Sequence, residues 1–289
     1  MRTIIITGAS GFLGRYLVEA ASTLSPDIAV LPIYSPRQSG VDLQSPAAQE
    51  ELARSISITN PQEAVLIHAA ALIEWDTPAA MLANAAMAVH VSAWAKDIGI
   101  GFSVLVSSVS VYNSLMHDAP DVPHQPTTLY GLGKWSAEHI WRMAFAEKNN
   151  AIMRLAGLWG WQERPTLFWN RLLLDAGRGI VGEERPVVRR RNSWRNYMSV
   201  REASDCLLQV GANRMSGLFL GAGRDKLNAG DFIELVQGLH GSQLAVDWQD
   251  DGGEDEVIYK HSEALEPWLK PFAEELASCW ADMPAWVRV

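Results

Sequence analysis

The sequence predicts an α/β fold, a doubly wound parallel sheet with a smaller C-terminal lobe. The run Thr3 to Thr7 is short, apolar and β-branched, as a strand buried on both faces requires. Glycines at 8, 11 and 14 follow at once, and a helical pattern opens at Phe12. Short apolar runs then alternate with helical stretches through the first half of the chain, which is the pattern of a parallel sheet wrapped in helices.

Gly8 can turn the chain sharply, Gly11 has no Cβ to keep the backbone from a pyrophosphate, and Gly14 lets the helix pack closely on the strand. The stretch Phe12 to Ala20 would then aim free N–H groups and its positive dipole end at a phosphate. A glycine-rich turn between strand and helix is often only a turn. Its place directly after the first strand favours a dinucleotide site. A second strand is expected at Ile28 to Ile33, after the turn residues Ser25, Pro26 and Asp27. In dinucleotide folds a carboxylate near this point binds the ribose of NAD, whereas an arginine accommodates the extra phosphate of NADP. Here Tyr34-Ser35-Pro36-Arg37 holds no acid, and none follows until Asp42, so NADP is favoured over NAD with Arg37 and Ser35 as contacts. An exposed loop arginine is the alternative.

A helical stretch from Glu51 to Ile58 precedes a buried strand, Ala64 to Ile67, that runs into His68-Ala69-Ala70-Ala71. Small residues there would let the backbone approach a cofactor. Asn84 opens a helical pattern through Ile98, and the strand Phe102 to Val106 leads into Ser107-Ser108-Val109-Ser110-Val111-Tyr112. Prolines 120, 123 and 126 make the polar segment up to Thr128 a loop. Loops at the carboxyl ends of parallel strands are where α/β enzymes place their chemistry. Next come Tyr130 and Lys134, four apart and so on one helix face. A nearby ammonium stabilises phenolate, which would let the tyrosine exchange a proton nearer neutral pH.

Composition narrows the function classes. The 289 residues, 48% hydrophobic, can bury a substantial core. With 33 acidic against 24 basic residues, a formal charge of −9, nucleic acid is an unfavourable partner. Cys206 and Cys279 are too few and too far apart for a disulfide framework or a metal site, and read as free thiols of a cytoplasmic protein. There is no run of 18 apolar residues and no signal-peptide core, so no membrane partner is expected.

Taken together, Thr7 to Gly14, Asp42-Leu43, His68 to Ala71, Asn84, Ser107-Ser108 with Val111-Tyr112, and Tyr130 to Lys134 resemble the extended short-chain dehydrogenase/reductase family, also called the NAD-dependent epimerase/dehydratase family. Weaker matches continue through Arg154-Leu155, Trp159-Gly160, Arg195-Asn196-Tyr197 and Gly217-Leu218-Phe219. The resemblance implies a Rossmann-type fold. It also implies that Ser108 hydrogen-bonds the reacting oxygen, that Tyr130 is the acid or base, and that Lys134 holds the nicotinamide ribose while lowering the tyrosine pKa. Asp42 and Leu43 would lie against adenine, Ala69 and Ala70 along the cofactor, and Gly8, Gly11 and the Phe12 and Leu13 amides at the pyrophosphate, with Gly14 behind them. Turn capping is the preferred reading of Ser107 and Ser110, packing that of Tyr112, and a backbone contact beside the cofactor that of His68.

Departures from the family pattern are informative. Sugar dehydratases of the family carry an Asp-Glu pair after the catalytic hydroxyl residue, where this chain has Val109 and Ser110, so dehydration is disfavoured. The usual Pro-x-x-x-Tyr-Gly-Pro is replaced by Ala156 to Trp161, which alters the substrate side, where Trp75, Ser108, Arg191 and Arg195 are candidate contacts. The basic run Arg185 to Arg191 suits a diphosphate or carboxylate clamp, or else a solvated loop. Trp159, Trp161, Trp169 and Trp194 could stack on a ligand, with core packing expected for at least half of them. Residues 250–256 read as an exposed loop and Leu265 to Trp286 as one or two closing helices.

The expected organisation is a dinucleotide-binding domain over 1–160 with returning segments at about 195–225, and a substrate lobe from 161–194 and 226–289. The expected function is an NAD(P)-dependent oxidoreductase, of the reductase kind, acting on a carbonyl or secondary alcohol, which the family resemblance and the arginine cluster suggest is that of a nucleotide-activated sugar and which the triad equally allows to be that of a smaller compound. The alternatives are an epimerase that retains NAD and a non-catalytic dinucleotide sensor. Pairing of the Asn84 and Tyr130 helices would give a homodimer, as in similar proteins.

Overall fold

In a computed structural model the described residues are 2–73, 77–112, 124–163, 165, 167–178, 187–188, 192–241, 244, 246–249 and 255–287. The chain divides into two units, Met1–Leu155 with Ala203–Gly221, and Ala156–Glu202 with Ala222–Val289.

In the first unit, apolar β-branched runs become the strands β1 (Arg2–Thr7), β2 (Ile28–Ile33), β3 (Val65–His68), β4 (Phe102–Ser108), β5 (Asn150–Leu155) and β6 (Gly217–Gly221). They form one sheet in the order β6-β5-β4-β3-β1-β2, and every pairing is parallel. Strand order reverses between β1 and β3, so their carboxyl ends flank the crevice where such sheets bind ligands. Ile5 pairs with Leu66 and Leu105 with Ile152 in register, and all four enter one core. Met87, Val91 and Trp94 of α3 (Pro78–Asp97) and Ala137 and Trp141 of α4 (Leu129–Ala144) complete that core. Burying the Trp141 indole leaves a donor to satisfy, and Ser103 Oγ accepts it at 3.0 Å. α6 (Val200–Ala212) meets the sheet through Gly211, where a Cβ would stand 2.9 Å from Val65 Cγ1. The expected doubly wound architecture is the observed one.

Two element boundaries differ from expectation. The helix expected at Glu51 to Ile58 is α2, Ala48–Ser55, because the backbone turns extended at Ile56. α3 opens at Pro78 behind Thr77, whose Oγ1 accepts the Ala80 N–H. Asn84 therefore lies inside the helix, bonding Leu72 N, Leu72 O and Ala80 O. A capping-type residue had a better partner in the loop before the helix than at the helix end.

Among its described residues the second unit has α5 (Phe168–Gly177), α7 (Ala229–His240) and α8 (Phe272–Ala281), with two- and three-residue strand pairs such as Leu158–Trp159 on Met198–Ser199. Its core gathers Trp159, Trp161 and Trp169 with Leu172, Phe232, Phe272 and Leu276, so these three tryptophans pack. Trp194 instead lies under Lys226 Nζ, 5.3 Å from the ring centre. α7 carries a full capping box, Asn228 with Asp231, and ends on Gly241 at φ 78°. The closing stretch is a 3₁₀ segment, Glu263–Trp268, followed by α8. The segment returning to the first unit is shorter than 195–225, since Met198 pairs with Leu158 and Arg195 exchanges backbone hydrogen bonds with Leu227. Among the described residues no helix is long and apolar enough to cross a membrane.

Candidate active site

The site begins at the end of β1. Gly8 takes φ 74°, and a Cβ there would sit 2.6 to 2.8 Å from Ala70 N, Ala70 Cα and Ala69 C. Glycine is thus required both by the turn and by the close pass of β3's end. At Gly14 a Cβ would fall 2.0 Å from Gly8 O, so the buried helix start is pressed onto the turn. Gly11 is exposed, and Gly8 O would stand 3.2 Å from its would-be Cβ. It is the N-cap of α1 (Phe12–Leu24), which has no side-chain cap and no acid in its first turn. An uncapped helix end bearing the Phe12, Leu13 and Gly14 amides behind a glycine cradle fits the pyrophosphate of a dinucleotide.

Ser10, which attracted no notice in the sequence, ties this turn to the end of β2, since its Oγ accepts the Ser35 N–H at 2.8 Å. Pro36–Gln38 is a 3₁₀ turn with Arg37 exposed. Asp42 is exposed and its Oδ1 accepts the Gln44 N–H at 3.1 Å, whereas the Leu43 side chain is committed to the core. His68, at the end of β3, reaches across to β1, its Nδ1 2.7 Å from Thr7 Oγ1 and its ring stacked 5.3 Å from Trp141. Burial, with Lys134 nearby, pushes His68 down to about 3, so it stays neutral.

At the end of β4, Ser108 Oγ accepts the Ser110 N–H at 3.1 Å and so caps the 3₁₀ turn Val109–Val111. α4 starts directly over that turn. Thr128 caps it by accepting the Gly131 N–H, and Gly131 must lack a side chain because a Cβ would lie 2.1 Å from Ser110 O. This contact delivers Tyr130 to Ser108, and the two side chains hydrogen-bond. Lys134, one turn on and 3% exposed, donates from Nζ to Val106 O at 2.7 Å. Ser108, Tyr130 and Lys134 are therefore together at the carboxyl end of the sheet, with Gly8, Ala69 and Ala70 at the neighbouring strand ends.

The electrostatics differ from expectation. Burial pushes the Tyr130 phenol up to about 12, with the Ser108 hydrogen bond pulling the other way. Lys134 itself is pushed down by burial to about 8, with Glu138 opposing. Burial outweighs the other influences on the phenol, so Tyr130 rests as a proton donor.

Beneath these residues lies a buried network that sequence reasoning missed. Arg154 Nε donates to Glu138 Oε1 at 2.8 Å and Nη2 to Oε2 at 2.7 Å, both side chains fully buried. Ser107 Oγ donates to Oε1 at 2.6 Å, so Ser107 is a buried strut and not a turn cap. Arg154 also donates to Tyr112 Oη at 2.7 Å and to His124 Nε2, giving Tyr112 a polar role beyond packing. One signal was available. Tyr130, Lys134 and Glu138 continue a single four-residue stripe, and Arg154 interrupts an apolar strand.

Of the substrate-side candidates, Trp75 and Arg191 lie outside the described residues, as does most of the Arg185 to Arg191 run. Arg195, in the second unit, spends its fork on Asp255 at 3.1 and 3.0 Å.

Residues 4–218 match the model of the NAD dependent epimerase/dehydratase family. The chain belongs to that family. No curated protein matches it. Among solved structures, this epimerase/dehydratase family member is similar to dTDP-glucose 4,6-dehydratase of Bacillus anthracis in complex with NAD, at TM-score 0.80 and 15% identity over 100% of this chain and 99% of that one. dTDP-4-dehydrorhamnose reductase of the same organism, in complex with NADP, gives TM-score 0.78 and 17% identity over 98% and 99%. UDP-N-acetylglucosamine 4-epimerase of Bacillus cereus gives 0.76 and 19% over 98% and 96%. At such identities the likeness establishes a shared fold.

Proposed function

We propose that this family member is an NADP-preferring oxidoreductase that reduces a carbonyl, or oxidises the matching secondary alcohol, on a nucleotide-activated sugar. The observation that carries the reading is the Ser108–Tyr130 hydrogen bond with Lys134 one helical turn away, at the strand ends that flank the glycine turn. Nucleotide sugars enter because the structural neighbours include a dTDP-4-dehydrorhamnose reductase and a UDP-N-acetylglucosamine 4-epimerase.

A bound nicotinamide dinucleotide supplies or accepts the hydride. Gly8, Gly11, Gly14 and the Phe12 and Leu13 amides would hold its pyrophosphate. Ala69 and Ala70 would line it, Asp42 and Leu43 would border the adenine, and Ser35 and Arg37 would meet the extra phosphate. Lys134 gives one N–H to Val106 O and keeps two for a ribose. Ser108 orients the substrate oxygen, and Tyr130 delivers a proton to it. A phenol pushed up to about 12 is protonated throughout the neutral range, which supports reduction as the favoured direction. Val109 and Ser110 place no carboxylate beside Ser108 for dehydration.

The reading extends to a homodimer. Leu82 and Val89 on α3 and Met143 on α4 stand 62%, 45% and 85% exposed, an apolar face suited to a second copy. Titration calorimetry of NADPH and NADH, on the wild type and on Arg37→Ala, tests the cofactor assignment. NADPH should bind at least tenfold tighter, about 1.4 kcal/mol, with the margin lost in the variant. Equal NADH affinity, or cofactor retained through purification without net turnover, would favour an epimerase instead.

A further inference from the structure

Tyr130, Lys134 and Glu138 occupy successive turns of one α4 face, with exposures of 7%, 3% and 0%. A carboxylate so placed is costly unless its charge is compensated, and here Arg154 grips both oxygens from β5 while Ser107 donates from β4. Arg142 adds a third, longer contact at 3.4 Å from the partly exposed side of the helix. Ser107 and Arg154 are register partners, so the carboxylate is bolted to two strands at the level where Ser108 leaves the sheet. Among the described residues, the groups facing Lys134 are few. Tyr130 and Glu138 lie on its own helix, the Val106 carbonyl comes from β4, and β3 contributes His68, which is uncharged.

We propose that Glu138 is a positioning residue for the Tyr130–Lys134 pair, its fixed and buried negative charge keeping the ammonium one turn away protonated at working pH. The proposal rests on the oxidoreductase reading for its catalytic meaning, though the charge relation holds in the protein by itself. Arg154 is the lock. It neutralises the cost of burying Glu138, and its remaining N–H groups reach Tyr112 and His124. Glu138 is held ionised despite burial because Arg154 and Ser107 both favour the carboxylate. Burial drags Lys134 down, and Glu138 is the charge that opposes it.

The test is the titration of Lys134 followed by carbon NMR of lysine-labelled, full-length protein, with the resonance assigned by Lys134→Arg. In Glu138→Gln the midpoint should fall by about one pH unit or more. Because Glu138→Gln strands a buried guanidinium, Glu138→Gln with Arg154→Gln is measured alongside it, and should fold by circular dichroism yet show a smaller fall in the same direction. Glu138→Asp, which keeps the charge, should restore most of the midpoint. A folded neutral double variant whose Lys134 titrates with the wild type, or an Asp variant as low as Gln, overturns the proposal. Binding of NADPH to the same samples separates the two claims. If no dinucleotide binds while Lys134 moves as expected, the oxidoreductase reading fails and the charge relation stands. If NADPH binds and Lys134 does not move, the reverse holds.

Discussion

At Tyr130 burial and a hydrogen bond with Ser108 act in opposite directions, and burial wins. Tyr130→Phe should lower kcat by about 10²- to 10⁴-fold without changing the circular dichroism spectrum, since only the hydroxyl is removed. Activity retained within a few-fold would show that the proton comes from elsewhere. Lys134 at about 8 adds a pH dependence: if its charge is needed, kcat/KM should decline as pH rises through about 8. At Gly8 the penalty is steric and conformational at once, a Cβ within 2.8 Å of two backbone residues at φ 74°. Gly8→Ala should cost more than about 1 kcal/mol in urea unfolding and weaken dinucleotide binding. Gly8, Tyr130 and Lys134 were legible in the chain because spacing alone put them on one turn or one helix face. The Arg154–Glu138 pair was not, since its partners are 16 residues apart and meet only when β5 pairs beside β4 under α4.

Among the elements, α4 depends on that pair. Arg154→Met would leave the buried Glu138 carboxylate with the longer, partly exposed Arg142 contact as its counter-charge, and a loss of about 3–5 kcal/mol is expected from denaturant titration. A loss below about 1 kcal/mol would mean that the carboxyl simply takes up a proton. α7 offers the contrasting case. Gly238 is exposed in the last turn of the helix, where a would-be Cβ meets open space. Gly238→Ala should stabilise by about 0.5–1 kcal/mol, through lower chain entropy in the unfolded state. Helix boundaries were the least legible level. Asn84 is a good capping residue by type, yet its amide finds Leu72 in the preceding loop, and Pro78 behind Thr77 sets the true start.

For the whole molecule, pH reaches stability through buried carboxyls in both units. Burial pushes Glu202 from an ordinary 4.5 up to about 7, although the Lys270 and Ser199 N–H groups and the Ser199 hydroxyl favour its charged form. A raised carboxyl pKa makes its stabilising contribution complete below about 4.5, and that contribution is lost as pH rises through about 7. Glu138, held low, acts with the opposite sign and loses its contribution as pH falls. The difference in Tm between Glu202→Gln and wild type should therefore shift in the variant's favour between pH 4.5 and 7, and a flat difference would mean that Glu202 does not titrate there. Glu202 gave no such signal in the sequence, because its burial depends on α8 and the 3₁₀ segment before it folding back from far along the chain.

By its sequence alone the chain already specifies its sheet, its glycine turn and its Tyr130–Lys134 pair, because strand runs, tight turns and helix faces are set by neighbours within a few residues. Only folding decides which charges are buried together. Whether Lys134 is protonated, whether Arg195 is free to meet a ligand or spent on Asp255, and why Ser107 cannot be a cap all depend on groups brought together from distant segments. Desolvation is a property of the packed molecule and of no residue alone.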